Sequence, residues 1–212
     1  MPPRKNIKLE KRKIILAEGV DALYFFINLL GLLQNENIQV LDFGGINDLT
    51  QYLNNLTKID GYDKIESILI ARDSETSSQS SSQSINSSLR NVHLIDETLE
   101  PFNIQAAKIK IGFVLFPGYC ANKCLYEQGT LEDLCIKIFE EQKIITDINS
   151  YLDDFQKTHN VKFKSIHKNQ LHMLFSFTDK YVGLKLGEVM KAGGFNLNSP
   201  SLKPFVDIIQ ML

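Results

Sequence analysis

Short apolar runs alternate with amphipathic segments in the N-terminal part of the chain, and this alternation constrains the fold most. The strand-like runs are residues 13–17, 38–45 and 67–71. The segments between them carry apolar side chains at helical spacing, namely Leu23, Phe26, Ile27, Leu30 and Leu33, then Leu49, Leu53 and Leu56. The order β-α-β-α-β predicts an α/β fold of the Rossmann-like kind, with a mostly parallel sheet flanked by helices.

A serine-rich tract, "SETSSQSSSQSINSS", follows the third strand. Its composition is typical of a flexible linker. A parallel sheet, however, needs a crossover after each strand, usually a helix, and Ser82, Ile85, Ser88 and Leu89 lie three or four apart. We predict a loop over residues 76–80 and then a helix to about residue 90. The alternative is a disordered linker between two domains.

The remaining chain predicts one more strand and a helical end. Residues 108–118 form a strand that closes on Pro-Gly, and Thr130 caps the helix that follows. Later apolar positions recur at helical spacing, with a break near Asp179. The predicted organisation is a basic arm at 1–12, an α/β domain at 13–142, and a helical C-terminal extension at 143–212 packed on the same domain.

Composition limits the classes of partner. The formal net charge of the 212 residues is -2, so no global positive field attracts nucleic acid or membranes. The N-terminal basic arm is a solvated segment or a phosphate-binding one, and no apolar run reaches membrane-spanning length.

Three cysteines without a secretory signal predict reduced thiols and a cytoplasmic protein. The "CANKC" pair has no second pair or nearby histidine, so loop cysteines are favoured over zinc ligands.

Acidic residues follow two of the predicted strands. Glu18 comes after the first strand, and Asp73 and Glu75 come after the third. Because the carboxyl ends of parallel strands share one edge, where ligands bind, we expect these carboxylates to meet. Their mutual repulsion favours a hard cation such as Mg²⁺. Taken singly, each acid could instead be a helix cap or a solvated turn, and Arg72 could pair with one of them.

The segments "AEGVDALYF" and "ARDSE" resemble the toprim domain, the metal-binding fold of topoisomerases, primases, recombination-repair proteins and the overcoming-lysogenization-defect (OLD) nucleases. The resemblance implies that Glu18 and Asp73 hold Mg²⁺ or Mn²⁺. Glu75 stands where that family usually has a second aspartate. The order of "EGVDALYF", "FGGINDL", "ILIARDSE", "FVLFPG", "GTLEDLC" and "KYVGLKLGEVMKAGGF" is similar, over nearly the whole chain, to a bacterial and archaeal toprim-related family of unknown function.

The resemblance implies a metal-dependent phosphodiesterase acting on nucleic acid. Its catalytic residues would be Glu18, Asp73, Glu75 and Arg72, with Arg72 offsetting phosphoryl charge. Glu132 and Asp133 would add ligands for a second ion, or would only decorate the first turn of a helix. The alternative is a non-catalytic module that binds metal, nucleotide or nucleic acid and works with a partner protein.

Other patterns are weaker. A NAD-binding site would need G-x-G-x-x-G where this chain has "EGVDAL". The histidines, His93, His159, His167 and His172, lack metal-ligand spacing and are predicted to lie on the surface or in the core. Lys180, Lys185 and Lys191 are predicted to be solvated, with phosphate contact as the alternative.

Overall fold

A five-stranded sheet organises the molecule, and the computed structural model describes residues 8–106, 108–120, 122–139 and 142–212. The strands are β1 (Lys13–Glu18), β2 (Ile38–Gly44), β3 (Ser67–Asp73), β4 (Asn103–Ala106) and β5 (Lys110–Phe116). Their spatial order is β2-β1-β3-β5-β4. Neighbouring strands are parallel except for the edge strand β4, which is antiparallel to β5. The predicted α/β fold with a mostly parallel sheet is confirmed.

Eight α-helices within the described ranges surround the sheet. They are α1 (Gly19–Leu32), α2 (Leu49–Leu56), α3 (Ser78–Asn91), α4 (Leu131–Ile138), α5 (Gln142–His159), α6 (Ile166–Ser176), α7 (Leu186–Lys191) and α8 (Lys203–Met211). Consecutive strand residues point to opposite faces, and both faces are buried. One carries Ile15, Leu69 and Val114 in a core shared with α1 and the C-terminal helices. The other carries Leu16 and Ile70 against α2 and α3.

The serine tract is a helix. Ser77 caps α3, because its Oγ accepts a hydrogen bond from Ser80 N at 3.2 Å. Its buried side includes Ile85 and Leu89, as the spacing predicts. Helix α3 begins at Ser78, so the loop before it is shorter than predicted. The crossover required by the parallel sheet therefore outweighs the linker-like composition.

One buried amide fixes the exit from this helix. Asn86 Nδ2 donates to Leu99 O at 3.0 Å and to Ser82 O at 2.9 Å, while its Oδ1 accepts from Leu99 N at 2.8 Å. The side chain thus pairs with both backbone groups of Leu99, which would otherwise be buried without partners. This arrangement anchors the segment that leads to β4.

The cysteines differ from expectation. Cys120 and Cys124 form a disulfide, with Cα atoms 5.5 Å apart, so the prediction of reduced thiols is wrong for this pair. Cys135 is free and buried, and burial raises the pKa of its thiol.

The predicted N-terminal arm lies partly outside the described residues. Within the described ranges, no helix combines the length and apolarity needed to cross a membrane.

Candidate metal and phosphate site

The carboxyl ends of three parallel strands lie together at one edge of the sheet. Asp73, the last residue of β3, is paired in register with Phe116, the last residue of β5. Glu18 ends β1, beside β3. The first turn of α4 also reaches this edge, because the backbone N–H of Leu131 donates a hydrogen bond to Asp73 Oδ1 at 2.8 Å. The fold therefore brings the first and third strand ends to the same place, as the acids in the sequence predict.

Asp73 has the most perturbed carboxyl group of this edge. Burial is the main cause, and the pKa of Asp73 is raised to about 7. The hydrogen bond from Leu131 opposes this shift because it favours the charged form. The charges of Glu132, Glu18 and Glu75 raise the pKa further. These four acids therefore share one electrostatic environment, and negative charge is concentrated at the strand ends.

Glu18 forms an ion pair with Arg72. The Arg72 Nε and Glu18 Oε2 atoms are 3.4 Å apart, and the two side chains are only 5% and 16% exposed. Arg72 Nη1 also donates to Ser81 O of α3 at 3.4 Å. A buried arginine placed in this way offsets the charge of an acid at the edge. The structure thus shows Arg72 paired with a neighbouring acid, which was one of the two roles predicted for it from the sequence.

The turn after β3 holds Glu75 in a left-handed backbone conformation, with φ of 51°. Its N–H donates to Gly129 O and its carbonyl accepts from Gly129 N, both at 2.8 Å. These bonds tie the turn to the segment that enters α4. The Glu75 side chain is exposed, and its charge still contributes to the raised pKa of Asp73.

The two acids of α4 have different surroundings. Glu132 is buried, and its Oε1 lies 3.2 Å from Lys168 Nζ of α6. Asp133 closes a capping box with Thr130, accepting from Thr130 N at 2.7 Å. Asp133 Oδ1 also lies 2.5 Å from His167 Nδ1. Glu132 is thus the α4 acid coupled to Asp73, whereas Asp133 is engaged in helix capping and a contact with α6.

Asp21 belongs to the same electrostatic group, and the sequence did not single it out. Burial raises its pKa, and so does Glu132, while Lys168, Lys185 and His172 lower it. The spacing contained a signal, because Asp21 lies three residues after Glu18 and Lys168 lies four before His172. The C-terminal helices therefore bring cations to the acidic edge.

A second missed acid shapes the turn that presents Glu18. Asp42 Oδ1 accepts hydrogen bonds from Gly19 N at 3.0 Å and from Gly44 N at 2.7 Å. Gly19 has φ of +80°, a conformation that favours glycine. These bonds join the ends of β1 and β2, so Asp42 is a positioning residue for the strand end that carries Glu18.

The donor chemistry of this edge fits a hydrated Mg²⁺ or Mn²⁺. Across the described ranges, no three or more His, Cys, Asp or Glu side chains are arranged so as to hold a metal ion. A closed cage built from the predicted ligands Glu18, Asp73, Glu75, Glu132 and Asp133 is therefore not formed. Mg²⁺ needs only one or two carboxylates, because water and substrate phosphate complete its shell. A site made of Asp73 and one neighbouring acid would be of this open kind.

The fold and the acidic strand ends define the class, an α/β protein with a carboxylate-lined edge on a mostly parallel sheet. The chain belongs to DUF3226, a protein family of unknown function, whose model matches residues 12–212. No curated protein matches its sequence.

Solved structures of the C-terminal region of the Xanthomonas campestris pv. campestris OLD protein are similar. Those phased with platinum and with iodine have TM-scores of 0.49 and 0.48 and are 12% and 11% identical. The first alignment covers 94% of this chain and 92% of that chain, and the second covers 96% of both. At these scores the likeness supports no functional assignment.

Proposed function

We propose that this protein is a phosphodiesterase that cleaves nucleic acid with a carboxylate-bound Mg²⁺ or Mn²⁺, on a toprim-type fold. The observation that carries the proposal is the cluster of Asp73 with three further acids, in which burial and then the charges of Glu132, Glu18 and Glu75 raise the pKa of Asp73 to about 7. An acid with such a pKa is about half ionised at neutral pH without a cation, and a bound cation favours the ionised form.

In this proposal Asp73 and either Glu18 or Glu132 hold the cation. The bound cation supplies Lewis-acid stabilisation of the phosphoryl oxygens and a more acidic water. The hydrogen bond from Leu131 keeps Asp73 oriented toward the edge. Lys168 is 61% exposed and lies beside Glu132, so it is placed to meet the negative charge of an incoming phosphate. Glu75 and Asp133 remain predicted ligands.

The test is cleavage of labelled single-stranded DNA, duplex DNA and RNA with Mg²⁺, Mn²⁺ or EDTA. We expect cleavage that requires a divalent cation and is lost in Asp73→Asn and in at least one of Glu18→Gln and Glu132→Gln, which identifies the second ligand. Asp60→Asn changes an exposed acid that precedes β3, at the other end of the strand, and is the matched control that should cleave normally. Cleavage that persists in EDTA or in Asp73→Asn contradicts the proposal.

A non-catalytic module is the second candidate, and the ion pairs at the edge favour it. Arg72 lies against Glu18 and Lys168 against Glu132, so two of the acids already have cationic neighbours. Such a site can bind a cation, a nucleotide or a nucleic acid and act with a partner protein. Cation binding that is lost in Asp73→Asn, combined with no cleavage of any substrate, selects this function over the enzyme.

A further inference from the structure

A cavity of about 650 Å³ lies beyond the end of β5. Tyr119 and Cys120, which line it, follow Phe116 by way of Pro117 and Gly118. The opposite wall comes from α8, including Met211. The cavity therefore begins at the carboxyl end of β5 and extends along α8 toward the start of β5, where Lys110 Nζ donates to Met211 O at 2.9 Å.

The inner part of this cavity is aromatic and apolar. The rings of Phe102 and Tyr119 lie against each other, with centroids 4.9 Å apart. Phe102 packs in turn on the buried Phe205, at 5.1 Å, so its position is fixed from behind. Burial raises the pKa of Tyr119 above its ordinary 10, and the charge of Glu100 raises it further. A flat, partly apolar ligand fits such a wall.

The rim of the cavity is rich in lysine. Lys123, Lys137 and Lys203 line it, and all three are exposed. The acid in the lining is Asp207, which is bound by Lys203 Nζ at 2.7 and 2.8 Å. Lys137 is held at the rim by a 2.8 Å hydrogen bond to the hydroxyl of Tyr126. The described lining thus brings three lysines together with one aspartate, in a protein whose net charge is -2.

We propose that this cavity binds an unpaired nucleoside phosphate, with the base against Phe102 and Tyr119 and the phosphate on the lysines. Aromatic stacking with a cationic rim is how proteins hold unpaired bases without reading their sequence. The ligand is a free nucleotide or one unit of a single strand. In the second case the inference rests on the proposed function, because it makes single-stranded nucleic acid the substrate.

The cavity is close enough to the acidic edge for one strand to reach both. Tyr119 comes three residues after the in-register partner of Asp73, so their Cα atoms are at most about 16 Å apart. Helix α4 lies between the two sites, because Glu132 and Lys137 lie on different sides of it and about 7.5 Å apart along its axis. A strand held in the cavity would pass the carboxylates.

The experiment is equilibrium binding of a fluorescent oligothymidylate to the full chain in EDTA, so that neither metal nor cleavage contributes. We expect binding that Tyr119→Ala weakens by about 5- to 150-fold and that Tyr119→Phe retains. Lys123→Gln should lower the slope of log affinity against log salt by about 0.7. Unlabelled thymidine monophosphate as competitor distinguishes a free-nucleotide site, where it competes well, from a strand site, where it competes poorly.

The controls keep this proposal separate from the proposed function. Tyr151→Ala removes an exposed tyrosine of α5, and Lys58→Gln removes an exposed lysine two residues after α2. Both variants should bind normally. Asp60→Asn, which changes the exposed acid before β3, should also bind normally, and because binding is measured in EDTA a failed nuclease assay leaves this measurement valid. The proposal is overturned if neither ligand binds, or if Tyr119→Ala and Lys123→Gln bind like the wild type. Equal weakening by Tyr151→Ala also overturns it.

Discussion

Replacing Asp73 by asparagine should stabilise the metal-free protein at neutral and higher pH. In the folded state the pKa of Asp73 rises from the ordinary 3.8 to about 7, first through burial and then through its acidic neighbours. The folded state therefore retains a proton that the unfolded state has lost. Asparagine is uncharged at every pH, and its amide oxygen can still accept the hydrogen bond from Leu131.

The sign and size follow from proton linkage. The contribution of Asp73 to the wild-type free energy of unfolding falls as pH rises from about 4 to about 7, because residue 73 binds fewer protons in the unfolded state over that range. Each pKa unit is worth 1.36 kcal/mol, so the full shift corresponds to at most about 4 kcal/mol. The advantage of the variant should therefore be small at pH 4, grow toward pH 7 and then level off.

The assay is urea denaturation of both proteins in EDTA from pH 4 to pH 8, followed by circular dichroism. The difference between the two proteins isolates residue 73, because the other titrating groups are common to both. Asp60→Asn is the matched control and should differ from wild type by less than about 0.5 kcal/mol at each pH. Adding Mn²⁺ should remove the advantage, since a ligand that binds the folded wild type stabilises it.

Either of two results would refute this reasoning. A difference between Asp73→Asn and wild type that stays constant from pH 4 to pH 8 would mean that residue 73 does not titrate in this range. A wild type that is the more stable protein at pH 8 in EDTA would mean that the Asp73 charge is favourably held in the absence of a cation.

Three further predictions concern stability and thiol chemistry. Asn86→Ala should lower the free energy of unfolding, measured by urea titration, by about 2–3 kcal/mol, because it leaves the buried backbone groups of Leu99 without partners. The control Asn54→Ala changes an exposed asparagine and should have no effect. Gly112→Ala should lower the free energy of unfolding by about 1–3 kcal/mol, since the added Cβ would lie 2.5 Å from a backbone carbonyl oxygen of β4. Gly31→Ala, where the added Cβ meets no atom within 4 Å, should raise it by about 0.5–1 kcal/mol. Equal effects of the two substitutions in thermal melts would contradict both predictions. A thiol-reactive dye should label no cysteine of the native protein, Cys135 alone in denaturant, and all three cysteines after reduction as well.

The alternation of strands and helices was readable from the sequence because each buried strand is a short apolar run between amphipathic segments. The buried face of α1 was harder to predict. Phe26 and Leu30 are buried as expected, but Ile27 is 45% exposed, and Phe25 and Leu29 are buried instead. Apolar residues occupy several sides of this helix, so periodicity alone does not select the face that meets the sheet.

The acidic edge could be predicted only in part. Glu18 and Asp73 follow strands directly, so strand order alone places them together. Lys168 belongs to a helix far along the chain, and nothing in the local sequence indicates that α6 packs beside α4.

Edge strand β4 was missed because it is only four residues long and has no buried side chain. The disulfide was missed because it depends on a loop geometry that the spacing of the cysteines does not specify.

The most direct test of the central claim is a calorimetric titration of Mn²⁺ into the metal-free wild type and into Asp73→Asn. A cation site at the strand ends predicts saturable binding by the wild type that is abolished or weakened at least about tenfold in the variant. It also predicts that the wild type binds more weakly at pH 6 than at pH 8, since below about pH 7 a proton competes for Asp73. Absence of binding by the wild type, or equal binding by the two proteins, would contradict the account.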